Sequence, residues 1–238
     1  EFSVSPTRKV RFAAGNLGYV FSKNEWIFMK QQYQGSEHSL NNNYTELNVN
    51  NTYLGIAYDT IGAFFGSNIY NLHGLVKIAG YSNEFVDWGE LIGDGWRTLT
   101  ADEWTYLMNT RYGATIKHTI ATINNVYGIL LLPDNYSSTL INIQFDNVSY
   151  FSSNIFDLET WALLEREGAV FLPAILYDSY ANWAKGKGTY WLNGYEKCNF
   201  GYEQKVVTFS KYYSSDGKGA TTERYYYPCN VRLVKESL

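Results

Sequence analysis

Three histidines, two cysteines and a scatter of carboxylates are the side chains through which this chain could do acid–base, redox or metal chemistry. His38, His73 and His118 lie far apart. None stands four residues from another, the spacing by which a helix turns two imidazoles toward one metal. His38 sits in a polar stretch and reads as solvated, and His73 precedes Gly74 and reads as a turn residue. Cys198 and Cys229 match no Cys-x-x-Cys or Cys/His metal spacing. Outside the cell the two suit a single disulfide, and in a reducing compartment they suit two buried thiols.

The carboxylates are no better patterned. Glu165 and Glu167 fall on a helical stretch and read as solvent-facing. Glu196 and Glu203 border aromatic segments, and paired carboxylates at a suitable separation hydrolyse glycosidic bonds. Asp134, Asp146 and Asp157, each near asparagines, offer oxygen ligands for a structural calcium, although no EF-hand loop is present. Gly186-Lys187-Gly188-Thr189 has the ending of a phosphate loop without its upstream glycine or its following helix, and reads as a turn.

Aromatic residues are the distinctive material. Tyr, Phe and Trp number 22, 13 and 7, and together make 18% of the chain. A tyrosine brings large area and a hydroxyl for little conformational entropy, which suits a binding surface, and it also suits strands and loop cores. Tyr177, Tyr180, Trp183, Tyr195, Tyr212 and Tyr213 stand in turn-rich segments and are the candidate ligand contacts. The plainer alternative is that each closes a local loop core.

These side chains need elements to hold them. Val4–Tyr19 reads as strand, ended by Gly15-Asn16, and Trp26-Ile27-Phe28 as a short second strand. Residues 31–86 read as a long irregular insertion rich in Asn and Tyr. Thr100 opens a helix with the Thr-x-x-Glu capping pattern to Glu103, carries Trp104, Leu107, Met108 and Arg111 at helical spacing, and stops at Gly113. Val126–Leu132 reads as a buried strand before Pro133. A second helix runs from Asp157 to Glu167, with Leu158, Trp161 and Leu164 as its stripe and Gly168 after it. Ala169–Leu172, Gly188–Trp191, Lys205–Phe209 and Tyr225–Val234 read as further strands. Two helices between irregular strands, without βαβ alternation, predict an α+β fold.

The 238 residues are 45% hydrophobic, enough for a substantial core and suited to one domain over 1–238. A net charge of −4 without a basic patch excludes nucleic acid as an expected partner. The longest apolar runs are too short to span a membrane. No signal peptide is recognised, and the chain reads as a piece trimmed from a longer precursor.

An ordered series of phrases carries a resemblance. It comprises Phe2-Ser3-Val4-Ser5 with Val10-Arg11-Phe12 and Gly15-Asn16-Leu17, then Asp87-Trp88-Gly89, and Trp96-Arg97-Thr98-Leu99-Thr100 with Glu103-Trp104. Gly128–Pro133 with Asp134, Gly168–Pro173, Tyr190-Trp191 and Val231-Arg232-Leu233-Val234 complete it. In this the chain resembles the Fibrobacter succinogenes major paralogous domain, whose fold is related to C-type lectins and to the formylglycine-generating group. It departs at Leu192-Asn193-Gly194, where a small polar stretch is usual, and at Ala63-Phe64-Phe65-Gly66.

The resemblance implies a single C-type-lectin-like domain with two main helices, a mixed, mostly antiparallel sheet, long irregular loops and terminal strands brought together. It implies export to the surface of a Bacteroidetes-type cell and adhesion to a glycan or protein through the variable aromatic face, without catalysis. A structural spacer in a larger surface protein is the alternative. An oxidase of the formylglycine-generating kind, with Cys198 and Cys229 as two thiolates holding copper, is the third reading. No cofactor beyond a structural calcium is expected.

Overall fold

The computed structural model describes residues 1–20, 23, 25–34, 60–61, 87–137, 139–145, 153–174, 187–198, 201–210, 221–224 and 230–237. Its strands in chain order are β1 (Phe2–Ser3), β2 (Lys9–Phe12), β3 (Leu17–Val20), β4 (Glu25–Phe28) and β5 (Thr60–Ile61). There follow β6 (His118–Ile123), β7 (Val126–Leu131), β8 (Ile155–Phe156) and β9 (Val170–Pro173). The last are β10 (Lys187–Cys198), β11 (Gly201–Ser210), β12 (Thr221–Arg224) and β13 (Val234–Glu236). The helices are α1 (Ala101–Thr105) and α2 (Leu158–Arg166). Two helices with mostly antiparallel sheets make this an α+β fold.

The expected single strand over Val4–Tyr19 is three strands. Pro6 has no N–H to donate, and Ser5 Oγ accepts the N–H groups of Thr7 and Arg8, which makes a turn between β1 and β2. A second break follows β2, where the Ala13 and Leu17 N–H groups reach the carbonyls of Leu233 and Val231. The expected strand over Tyr225–Val234 is correspondingly broken over Val231–Leu233. Val231–Leu233 serves that break, and the regular ladder is confined to β13. β13 pairs antiparallel with β2, setting Val234 opposite Phe12, while Arg97 bridges Val234 on its other side. β1 takes the remaining edge of β2.

α1 begins as its sequence requires. Thr100 Oγ accepts the Glu103 N–H at 3.2 Å and Glu103 Oε2 accepts the Thr100 N–H at 2.9 Å, completing the capping box. The helix then widens into a π turn over Tyr106–Thr110, closed by Arg111 N–H on the Tyr106 carbonyl, so it stops before the expected Gly113. Asp157 caps α2 by accepting the Thr160 N–H at 2.8 Å.

β6 has no counterpart in the sequence reading. It joins β7 through Asn124-Asn125, both at positive φ (49° and 63°), the two-residue turn whose twist matches a hairpin. β9 lies along β7's other edge and short parallel β8 along β6. Trp161 and Leu164 of α2 pack on this sheet with Phe171 and Leu130. Trp104, Leu107 and Met108 pack with Phe2, Val10, Tyr190 and Phe209, so both helical tryptophans are core residues. A third cluster joins Leu17, Trp88, Trp191, Val231 and Leu233.

Candidate functional site

β10 and β11 form a long hairpin, and its register decides how the candidate aromatic segments are rooted. Lys187 stands opposite Ser210, and Thr208 opposite Thr221 of β12. The chain therefore enters β10, leaves β11 and enters β12 at one end of this sheet. The segment 175–186, with Tyr177, Tyr180 and Trp183, and the segment 211–220, with Tyr212 and Tyr213, both join the sheet at that end. These five residues lie outside the described residues. Tyr195 belongs to the other half of the hairpin, opposite Gln204 and beyond the register shift between Trp191 and Tyr195. Two segments thus join the sheet at one end, and Tyr195 pairs about 20 Å away along β11, six residues at roughly 3.3 Å each.

The same register sets Glu196 directly opposite Glu203. Opposed residues of an antiparallel pair share a face. Cys198 ends β10 opposite Gly201, and Cys229 lies outside the described residues. Lys187, read within a turn in the sequence, is strand, and Gly188 is strand as the Gly188–Trp191 reading expected; the Phe209 ring fills the place a side chain at Gly188 would take.

Beneath the rooted end sits a buried polar node. Tyr190, three residues into β10, donates its hydroxyl to the Pro173 carbonyl at 3.0 Å and accepts from Asn16 Nδ2 at 3.3 Å. Asn16 Oδ1 in turn accepts from Arg232 Nε at 2.9 Å. The rest of the Arg232 guanidinium donates to the carbonyls of Ala13, Gln32 and Phe171 and to Gln32 Oε1. Burial draws Arg232 down to about 10, so it keeps its charge at neutral pH, and burial pushes the Tyr190 phenol up. The nearest carboxylate is relayed: Gln32 Nε2 donates to Glu165 Oε1 at 3.0 Å. Gln32 also accepts the Phe171 N–H at 2.9 Å and donates to the Ala169 carbonyl at 3.2 Å, occupying the outer edge of β9 as a neighbouring strand would. Sequence reading missed this node. Its signal was a lone arginine inside the apolar run Val231-Arg232-Leu233-Val234.

The titratable groups elsewhere are held in structural work. His118 Nδ1 lies 3.0 Å from the Ala114 carbonyl, and burial draws its pKa down to about 4. Asp87, raised by burial, accepts from Thr98 Oγ1, the Thr98 N–H and the Gly89 N–H, so it caps the turn at Trp88–Leu91. Asp134 of the calcium set takes Ser3 Oγ at 2.6 Å and Arg111 at 3.2 Å, Asp157 caps α2, and Asp146 lies outside the described residues. His38 and His73 lie outside them too. Among the described residues no three His, Cys, Asp or Glu side chains gather to hold a metal.

A second aromatic group was also missed: Trp26, Phe28 and Trp96 are half-buried at the rim of the third cluster. The Lys235 ammonium stands 4.6 Å from the Trp96 centroid and the Phe28 ring 4.9 Å from it. Trp96 is thus packed by a cation and a ring, in the manner of a surface core. No family model, curated protein or solved structure matches the chain.

Proposed function

We propose that this chain is a non-catalytic binding module of an exported, cell-surface protein, with the C-type-lectin-like fold its phrases imply, recognising a glycan or a protein surface. The observation that carries the reading is the common rooting of two aromatic segments, 175–186 and 211–220, at one end of the β10–β11 sheet. Under that end, Tyr190 and Phe209 stack at 5.9 Å and the Arg232 node ties β10 to β9 and to the segment after β4. Connecting segments carried by a paired-strand base are how folds commonly present binding residues. Tyrosine and tryptophan there offer ring faces to sugars or peptide groups and hydroxyls to their polar edges.

The test is a screen of the purified chain, displayed in many copies to gain avidity, against glycan and extracellular-protein arrays. A selective signal that Trp183→Ala and Tyr212→Ala each remove, with the melting temperature unchanged, is the expected result. A spacer is the second reading, favoured by the pairing of β1 and β13 on the two edges of one strand, from which the chain leaves in opposite directions. Silence on both arrays turns the assignment to the spacer. Turnover of a thiol or glycoside substrate that fails when Cys198 or Glu196 is changed would overturn both.

A further inference from the structure

We infer that the sheet of β1, β2 and β13 is a mechanical clamp, built to carry tension between the two ends of the domain without opening. The inference rests on the surface-module reading for the source of that tension.

The argument is the direction in which each strand would be pulled. β1 and β13 both run antiparallel to β2 and lie on its two edges. Phe2 is opposite Val10 and Ser3 opposite Lys9, so the chain before β1 leaves at the Arg11–Phe12 end of β2. Glu236 is opposite Val10, and the Ser237 N–H donates to the Lys9 carbonyl, so the chain after β13 leaves at the Lys9 end. A pull on both ends therefore drags β1 and β13 in opposite directions along β2. Antiparallel ladder bonds lie across the strands, so sliding loads them together and does not unzip them one at a time.

Side chains cross the same seams. Arg11 reaches Glu1 at 3.1 Å between β2 and β1. Arg8 reaches Glu236 at 2.7 Å between the β1–β2 turn and β13. Both outer edges are held as well. Ser3 Oγ and the Glu1 carbonyl bond the Asp134 carboxylate and N–H, and Val234 exchanges two backbone hydrogen bonds with Arg97. Val234 thus turns its peptide groups to Arg97, and the alternation of a strand turns those of Lys235 to β2. Phe2, Val4, Val10 and Val234 are buried beneath, which resists peeling the strands off the core.

Single-molecule force spectroscopy on the full chain, held by handle domains fused at both ends, tests the clamp. Forced unfolding reports the barrier crossed under load and not the equilibrium stability. Lys235→Pro, which deletes a ladder donor, and Glu236→Gln, which weakens the crossing ion pairs, should shift the first unfolding event to lower force. Leu164→Ala, in the cluster under α2, should lower the urea midpoint while leaving that force in place. The reverse pattern, with force tracking Leu164→Ala and indifferent to the other two, would overturn the clamp. Should Lys235→Pro fail to fold by circular dichroism, Glu236→Gln decides alone. A chain that binds nothing yet keeps its high-force event loses the binding function and keeps the clamp.

Discussion

Arg232 and Arg97 are the same side chain under opposite regimes. Arg232 is 2% exposed and donates to five carbonyl oxygens, three of the backbone and two of the side-chain amides of Asn16 and Gln32, with no carboxylate among them. Arg97, with a fifth of its side chain exposed, forks onto Glu103 at 2.7 and 2.8 Å and shares Glu236 with Arg8. Burial lowers Arg232. Burial also acts to lower Arg97, but its bonds to Glu103 and Glu236 outweigh that and hold it above the usual value. In the interior a charge is spread over fixed dipoles, and each partner depends on it. Toward the surface, water stands ready to replace the exposed Glu236, though not the buried Glu103. One region therefore sets a unique geometry, and the other adjusts.

The sharpest break of that comparison is Arg232→Ala. It strands buried acceptors on three segments and should cost about 3–5 kcal/mol by urea denaturation. Arg232→Lys should not restore it, because an ammonium lacks the planar fork. A loss below about 1 kcal/mol would mean that the carbonyls find other partners. Trp104→Ala should cost a similar ~3–5 kcal/mol through the cavity it leaves. Its indole N–H meets no acceptor among the described residues, so Trp104→Phe should keep most of the stability.

His118 supplies the intermediate case, a half-buried group with one acceptor instead of five. Its folded pKa, about 4, lies below the ordinary 6.5. The stability it contributes is then present above 6.5 and lost as pH falls from there to about 4, up to about 3 kcal/mol. Urea midpoints between pH 7 and pH 4 should show that slope, and His118→Gln should flatten it. Asp87, raised by burial, has the opposite sign and becomes less costly as it protonates. Thr100→Ala should cost about 1 kcal/mol. Last comes Glu236→Gln, at ~0–1 kcal/mol and smaller still in high salt. For Glu236 burial acts upward, but Arg8 and Arg97 outweigh it and lower its pKa, so this contribution fades only as pH falls below the ordinary carboxylate range.

What the sequence made legible was local. Thr100 with Glu103 and Asp157 before Leu158 are signals contained within one turn, and both appear where expected; of the expected α2 stripe, Trp161 and Leu164 are buried, while Leu158, in the first turn, is exposed. The meeting of the terminal strands was legible only coarsely: Val10-Arg11-Phe12 does pair with the last strand, but at Val234–Glu236, whereas the expected strand ended at Val234. Ser5-Pro6-Thr7 was a turn signal overlooked in favour of the apolar pattern around it. β6 was missed because His118-Thr119-Ile120-Ala121-Thr122 shows neither strand alternation nor a continuous apolar run, while its threonines are buried here. Thr119 Oγ donates to the Gln144 carbonyl and accepts from Asn154, so neighbouring segments satisfy it. The Arg232 node was illegible for a similar reason: its five acceptors come from three segments spread between residues 13 and 171. The rooting of the aromatic segments follows from strand register, which no single segment encodes.

The outer edge of β9 has a consequence for behaviour at high concentration. Val170-Phe171-Leu172 is short, apolar and rich in strand formers, and an unpaired edge of that kind recruits strands from other molecules. Here the amide of Gln32 and the guanidinium of Arg232 occupy its peptide groups. Both approach from segments far away in sequence, so the cover arrives only when those distant parts of the chain have docked. Until then, a nascent or heated chain carries a strand edge with no partner of its own. The moment of risk for aggregation is therefore late assembly, and the polar node that closes the edge also ends the chain's appetite for its own kind.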